Sequence, residues 1–368
     1  MNSDKKTVYI IGAGASVDWK FPVGNKLKED IAELFKLDGS SNFDAPDIRR
    51  LYSRLVQMDG GKAAQFLTSA SVIRQAMTLA YSIDNFLDAH QYKEELIKLG
   101  KLAIIRTILQ YEKNSALCLM PKARIIDALQ NQSWHTNLFQ SLVENCNFDA
   151  FKERLKQVTF IVFNYDRVLE QFLLFAIQLY YQVPENEAIN TINALNIIHP
   201  YGQCGILPWQ NESNNNDLKL DFGSSLNLSH DNQDELAKQI YTFTDKRNLA
   251  TNKRNQAHTA ILESERIISL GFAFHPMNMQ WLDCRKLYNT QTPNSDYKKL
   301  AKTRTVFSSA MGMSESDLSV IQASCRSAFL QTYDPHNKEK VMFSDKTAKC
   351  SDFMSQFSLS VGYGNLVL

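Results

Sequence analysis

The strongest constraint on the fold is Thr7-Val8-Tyr9-Ile10-Ile11, a short apolar, β-branched run that leads directly into Gly12-Ala13-Gly14. A run of this kind closed by a glycine turn predicts a buried strand. From Asn25 to Leu37 the residues Leu27, Ile31, Leu34 and Phe35 recur at helical spacing. Strand, glycine loop and helix in that order open an α/β fold. The β signal returns at Val158 to Phe163, Ala194 to Ile198, Arg266 to Leu270 and Thr303 to Phe307, with a helix expected from about Arg167 to Tyr181. Strands interleaved with helices predict a Rossmann-like parallel sheet with helices on both faces.

Between the first and second strands the pattern is helix after helix, from about Asp47 to Phe151: Ile48, Leu51 and Leu55, then Val72, Ile73, Ala76 and Leu79, then Leu96, Leu99, Leu102, Ile105 and Leu109. Apolar residues three and four apart make this a large amphipathic helical insertion. The expected organisation is one catalytic domain over residues 1–290, with the insertion at about 47–151. Residues 291–368 follow as a segment that completes the sheet or mediates assembly, with Phe357 to Val361 read as a terminal strand. The interval from Asn211 to about Gln256 opens on a polar, asparagine-rich run and reads as largely irregular, the usual character of lids and contact surfaces.

Charge and cysteine spacing exclude several classes. Forty Lys plus Arg face 39 Asp plus Glu, for a net charge of +1, so no global basic field draws the chain to nucleic acid, and none is expected to bind directly. No stretch has the roughly 18 consecutive apolar residues of a membrane span. The first apolar run is too short and too glycine-rich for a secretory signal. Cys118, Cys146, Cys204, Cys284, Cys325 and Cys350 are too scattered for a structural zinc site. Reduced thiols in the cytoplasm are the simplest expectation, and no metal is expected.

Four motifs fall at the carboxyl ends of the expected strands. Gly12-Ala13-Gly14-Ala15-Ser16 is either a tight turn or a phosphate-binding loop; Val17 stands where a dinucleotide fingerprint has its third glycine or alanine. Phe163-Asn164-Tyr165-Asp166 offers two polar residues where a helix cap needs one. His199, in His199-Pro200-Tyr201-Gly202, is either a structural loop histidine or a general base. Gly271-Phe272-Ala273-Phe274-His275-Pro276-Met277-Asn278 is either a packed strand-to-helix corner or a seat for a purine.

In this order the motifs resemble the sirtuin-like NAD-binding domain. The resemblance extends to Phe21-Pro22-Val23-Gly24, Leu27 and Ser82-Ile83-Asp84-Asn85-Phe86-Leu87, as in the bacterial sirtuin-like proteins of phage defence, and spans roughly residues 7 to 290. It implies NAD as substrate, with Gly12, Ala13, Gly14, Ala15 and Ser16 at the pyrophosphate and neighbouring ribose. Asn164 would face the nicotinamide ribose, Asp166 would contact the nicotinamide side and His199 would be the base. Gly271, Phe272 and Asn278 would hold the adenosine end. Such a set suits cleavage of a glycosidic bond through an oxocarbenium-like transition state.

The chain departs from the protein-deacylating sirtuins in three places. It lacks their four-cysteine zinc module, Val23-Gly24-Asn25 replaces their Asp-Phe-Arg, and Phe163 replaces their Gln. Water is therefore the expected acceptor, and the resemblance implies an NAD glycohydrolase that depletes NAD in abortive infection. Regulation would come from a homo-oligomer or from a separately encoded partner such as a HerA-type ATPase or a short Argonaute. The alternatives are an NAD-dependent protein deacylase or ADP-ribosyltransferase, and a non-catalytic module that senses NAD or ADP-ribose.

Overall fold

The computed structural model describes residues 5–39, 42–119, 133–211, 218–225, 233–243, 245, 252–285, 304–330 and 340–363. Six strands form one sheet: β1 (Thr7–Ile11), β2 (Val158–Val162), β3 (Asn196–Ile198), β4 (Arg266–Leu270), β5 (Thr305–Ser308) and β6 (Val341–Phe343). Their order is β3-β2-β1-β4-β5-β6 and every neighbouring pair is parallel. This is the doubly wound Rossmann-like order, in which the chain reverses its direction of sheet growth between β1 and β4. Thr7 pairs with both Val158 and Arg266, and Ile11 with both Val162 and Leu270, so β1 lies at the centre of the sheet. Every residue of β1 and β4 is buried, so neither shows the polar alternation of a half-exposed strand, and the polar Thr7, Arg266 and Ser269 are buried with the rest.

The helical insertion is present. After α1 (Gly24–Leu34) come α2 (Pro46–Met58), α3 (Gly60–Ala76), α4 (Ile83–Ala89) and α5 (Glu94–Asn114), followed by the helices Trp134–Val143 and Phe148–Leu155. The hub is α5, which packs against α1, α3 and α4. Its apolar stripe, including Leu96, Leu99, Leu102, Ile105 and Leu109, is buried, so the period seen in the sequence marks a helix enclosed by its neighbours.

Three local expectations are corrected. The glycine loop runs into a 3-10 helix, Ala13–Trp19, closed by Lys20 in the left-handed region, and α1 then starts at Gly24, beside the expected Asn25, but ends at Leu34 rather than Leu37. Phe357 to Val361 is not a strand: Ser358–Val361 is a short helix. Alternating apolar residues suggested a strand there, but Phe357 and Val361 are also four apart, the spacing of one helical face. Val361 is buried and Leu359, which a strand would point the same way, is 75% exposed. Finally, the helix Gln233–Lys238 and the first turn of the helix Asn252–Glu263 lie within the interval read as irregular, whereas most of its polar run, 212–217, falls outside the described residues. β6 was not anticipated, since three residues carry too little periodicity to register. β5 and β6 both come from beyond residue 290.

The β1 and β4 turns meet through glycine. The Gly12 amide donates to Leu270 O at 2.9 Å and the Gly14 amide to Gly271 O at 3.0 Å. A Cβ on Gly12 would lie 2.5 Å from Gly271 O, and one on Gly271 would lie 2.0 Å from the Ala15 nitrogen. Gly271 also has φ +58°, a region that L side chains reach only at a cost. Gly271→Ala is expected to lower stability by at least ~3 kcal/mol. Gly24, with nothing near its missing Cβ, serves as the control: Gly24→Ala should leave the thermal midpoint unchanged or slightly raised.

Candidate functional site

A cleft of about 1400 Å³ opens at the carboxyl ends of β1, β2 and β4, the switch point where doubly wound sheets bind ligands. Gly12, Ala13 and Gly14 form one side of its floor, Asn164 and Asp166 the next, and Gly271 and Phe272 the third. The insertion supplies a wall through Tyr81, Ser82 and Asp84 before α5 and Ile108 and Asn114 on it. Beyond β5, Ser309, Met311 and Lys349 extend the cleft. The structure thus brings all four sequence motifs to one cavity, the third through Tyr201 rather than His199.

At the floor, Asn164 Nδ2 donates to Ser16 Oγ at 2.9 Å. The Ser16 hydroxyl also acts on the Asp166 carboxylate, lowering its pKa, so Asn164, Ser16 and Asp166 form one polar cluster. All three are buried. Asp166 Oδ1 also accepts from the Val168 amide at 3.2 Å, the first amide of the helix Val168–Tyr181, whose N-cap position is Arg167 with no side-chain cap of its own. Asn164 Oδ1 has no partner; a buried acceptor left open beside a cleft is available to a ligand. Burial, reinforced by the nearby Glu112 and Glu170 carboxylates and only partly offset by Ser16 and the Val168 amide, pushes the Asp166 carboxyl up to about 6. Such a group can hold or release a proton near neutrality.

The glycine loop is committed mostly to the protein. The amides of Gly12, Gly14 and Ala15 all donate to backbone carbonyls, and Ala15 O accepts from Trp134 Nε1 at 2.7 Å. Ala15 and Ser16 lie buried beneath the floor rather than along the cleft. The cations that line the cleft are Lys20, Lys28 and Lys349. Lys28 Nζ is tied to Ala80 O at 2.6 Å, and Lys349 faces the carboxyl of Asp18, whose pKa burial raises.

Phe272 is buried against Phe163 and Phe274, with ring centroids 5.0 Å apart in both pairs, so it serves as a packed wall. Asn278 Oδ1 accepts from the Tyr201 hydroxyl at 2.6 Å. His199 does not line the cleft. Its Nε2 meets Glu170 Oε1 at 2.8 Å and its Nδ1 meets Asn164 O at 3.3 Å, so the ring braces the Asn164 backbone from behind.

Some site residues were not singled out from sequence. Glu170 is the one charged residue of the apolar helix Val168–Tyr181, a signal that an acid there needs a partner. Asp84, half-buried and hydrogen-bonded by the Tyr165 hydroxyl, has its pKa raised by burial; it lay within a quoted motif but carried no assigned role. Glu112, Arg167 and Cys204 form a buried cluster. The Arg167 guanidinium pairs with Glu112 and donates to Leu220 O at 2.6 Å and Asp221 O at 3.1 Å, while Glu112 Oε1 accepts from the Cys204 thiol at 3.5 Å.

No protein-family model matches the chain, and no curated protein matches it. Among the described residues, no helix is long and apolar enough to cross a membrane.

The geometry yields two expected outcomes. Asp166 has a folded pKa above its ordinary value of 3.8, so its protonated form favours folding. Its ionisation should therefore cost stability as pH rises from about 4 to 6, reaching on the order of 3 kcal/mol at pH 7. Asp166→Asn should flatten that decline in thermal melts recorded from pH 4 to 7. Arg167→Met, which strands Glu112 in the interior, should cost about 3–5 kcal/mol in denaturant unfolding, and adding Glu112→Leu should restore part of it.

Proposed function

We propose that the chain is a sirtuin-like NAD glycohydrolase, cleaving NAD to nicotinamide and ADP-ribose and acting as a NAD-depleting effector in anti-phage defence. The observation that carries this reading is the buried polar cluster of Asn164, Ser16 and Asp166 at the floor of a cleft of about 1400 Å³. A volume above the roughly 300–1,000 Å³ of most ligand sites suits an extended dinucleotide. In support, the sequence that suggested NAD also anticipated which strand ends would meet there.

In this reading the pyrophosphate lies over Gly12, Ala13 and Gly14 with Lys20 or Lys349 as counter-charge. Most loop amides are already spent, so charge replaces them. The nicotinamide ribose lies over Asn164, whose open Oδ1 holds the attacking water or a ribose hydroxyl. The C1′–nitrogen bond breaks and nicotinamide leaves with the bonding pair. The water oxygen bonds to C1′, and its proton passes to a base. The resemblance makes His199 that base. Because its ring faces Glu170, the Asp166 carboxyl is better placed to take the proton, and His199 acts by holding Asn164. Positioned polar groups of this kind are worth ~10²–10³ in rate.

Uncontrolled NAD loss would kill the host, so activity belongs to a homo-oligomer or to an assembly with a separately encoded partner such as a HerA-type ATPase. The test follows NAD loss by the purified chain with its suspected partner and no protein acceptor. Asn164→Ala should slow turnover by at least ~10², with His199→Ala slowing it less; a wild-type rate no faster than that of Asn164→Ala would sink the hydrolase reading.

A further inference from the structure

Behind His199 lies a second cavity of about 220 Å³ that shares no lining residue with the large cleft. Two buried acceptors on its wall have no partner: Glu170 Oε2 and Gln203 Oε1. Glu170 is 1% exposed and Gln203 8%. Orphaned acceptors at that depth cost stability unless something donates to them.

The orientation of Gln203 follows from its neighbours. Gln210 Oε1 accepts from the Leu207 amide at 2.7 Å, so the atom facing Gln203 is an oxygen. Gln203 must therefore present its NH₂ there, at 3.2 Å, which leaves Oε1 over. Glu170 likewise spends Oε1 on His199 and leaves Oε2 over.

Both His199 nitrogens face acceptors, Asn164 O and Glu170 Oε1, so the ring has no donor to spare for Glu170 Oε2. Lys253, whose ammonium lies 5.8 Å from the Tyr241 ring centroid, already brings a positive charge to the lining. A second cation is disfavoured there. Ile192, Leu195, Ile197 and Ile206 supply apolar walls. We infer that this cavity is a binding site for a neutral small molecule with an apolar body and a primary carboxamide, whose NH₂ supplies the donor that these orphaned acceptors lack. This site does not depend on the chemistry proposed for the large cleft.

The probe is benzamide, titrated calorimetrically into the full-length chain, with benzoate and benzylammonium as controls. Benzamide should bind at one site, and Gln203→Leu should weaken it at least tenfold without changing the circular dichroism spectrum. If Gln203→Leu fails to fold, Ile206→Phe, which fills the cavity from its apolar side, should abolish the benzamide heat. Absence of benzamide binding, unchanged affinity in a folded cavity variant, or preferential binding of benzylammonium would overturn the inference.

Discussion

The molecule depends on a contact that no side chain makes. Gly12, Gly14 and Gly271 let the turns after β1 and β4 pass at backbone distance, each turn donating to or blocking space beside the other. These are the two strands between which sheet growth reverses, so the contact sets how far apart the two halves of the cleft begin. A methyl group there would wedge the crevice as well as unfold the turn. Glycine at this place is therefore explained by packing before any ligand is invoked, and a phosphate reading has to rest on the remaining geometry.

A second constraint ties the insertion to the chemistry. Glu112, near the end of α5, and Arg167, next to Asp166, are both completely buried. The pair is saturated by the carbonyls of Leu220 and Asp221, the Gly223 amide and the Cys204 thiol. Buried pairs of this kind contribute less net stability than their attraction suggests, since both ions are desolvated. They do hold a geometry, because a misplaced partner leaves a charge without solvent. Through this pair the helical insertion is held against the β2 turn, and its Asp84 reaches the cleft through Tyr165.

Most of the frame was legible because β1 and β2 are compact, β-branched and mostly apolar runs and the insertion has clear helical periodicity. Where reading failed, two patterns coincided or the signal was too short: Phe357 and Val361 satisfy both period two and period four, and β6 has three residues. The site was legible in position more than in orientation. Sequence places His199 at a strand end but cannot say which way its ring turns, which depends on Glu170 arriving from the helix Val168–Tyr181. Nor does sequence show that the Gly14 amide is already taken by Gly271, a bond between segments far apart in the chain.

The strand order also has a temporal meaning. β1 is synthesised before all the other strands of the sheet, yet one of its neighbours, β4, follows only after the insertion, β2 and β3 are complete. Non-local pairing of this kind makes folding slow, because loop closure must precede the contacts that reward it. Part of the cleft wall, Ser309, Met311 and Lys349, is made later still. A nascent chain therefore carries no finished pocket, and whatever the pocket does is withheld until the segment through Lys349 has been made.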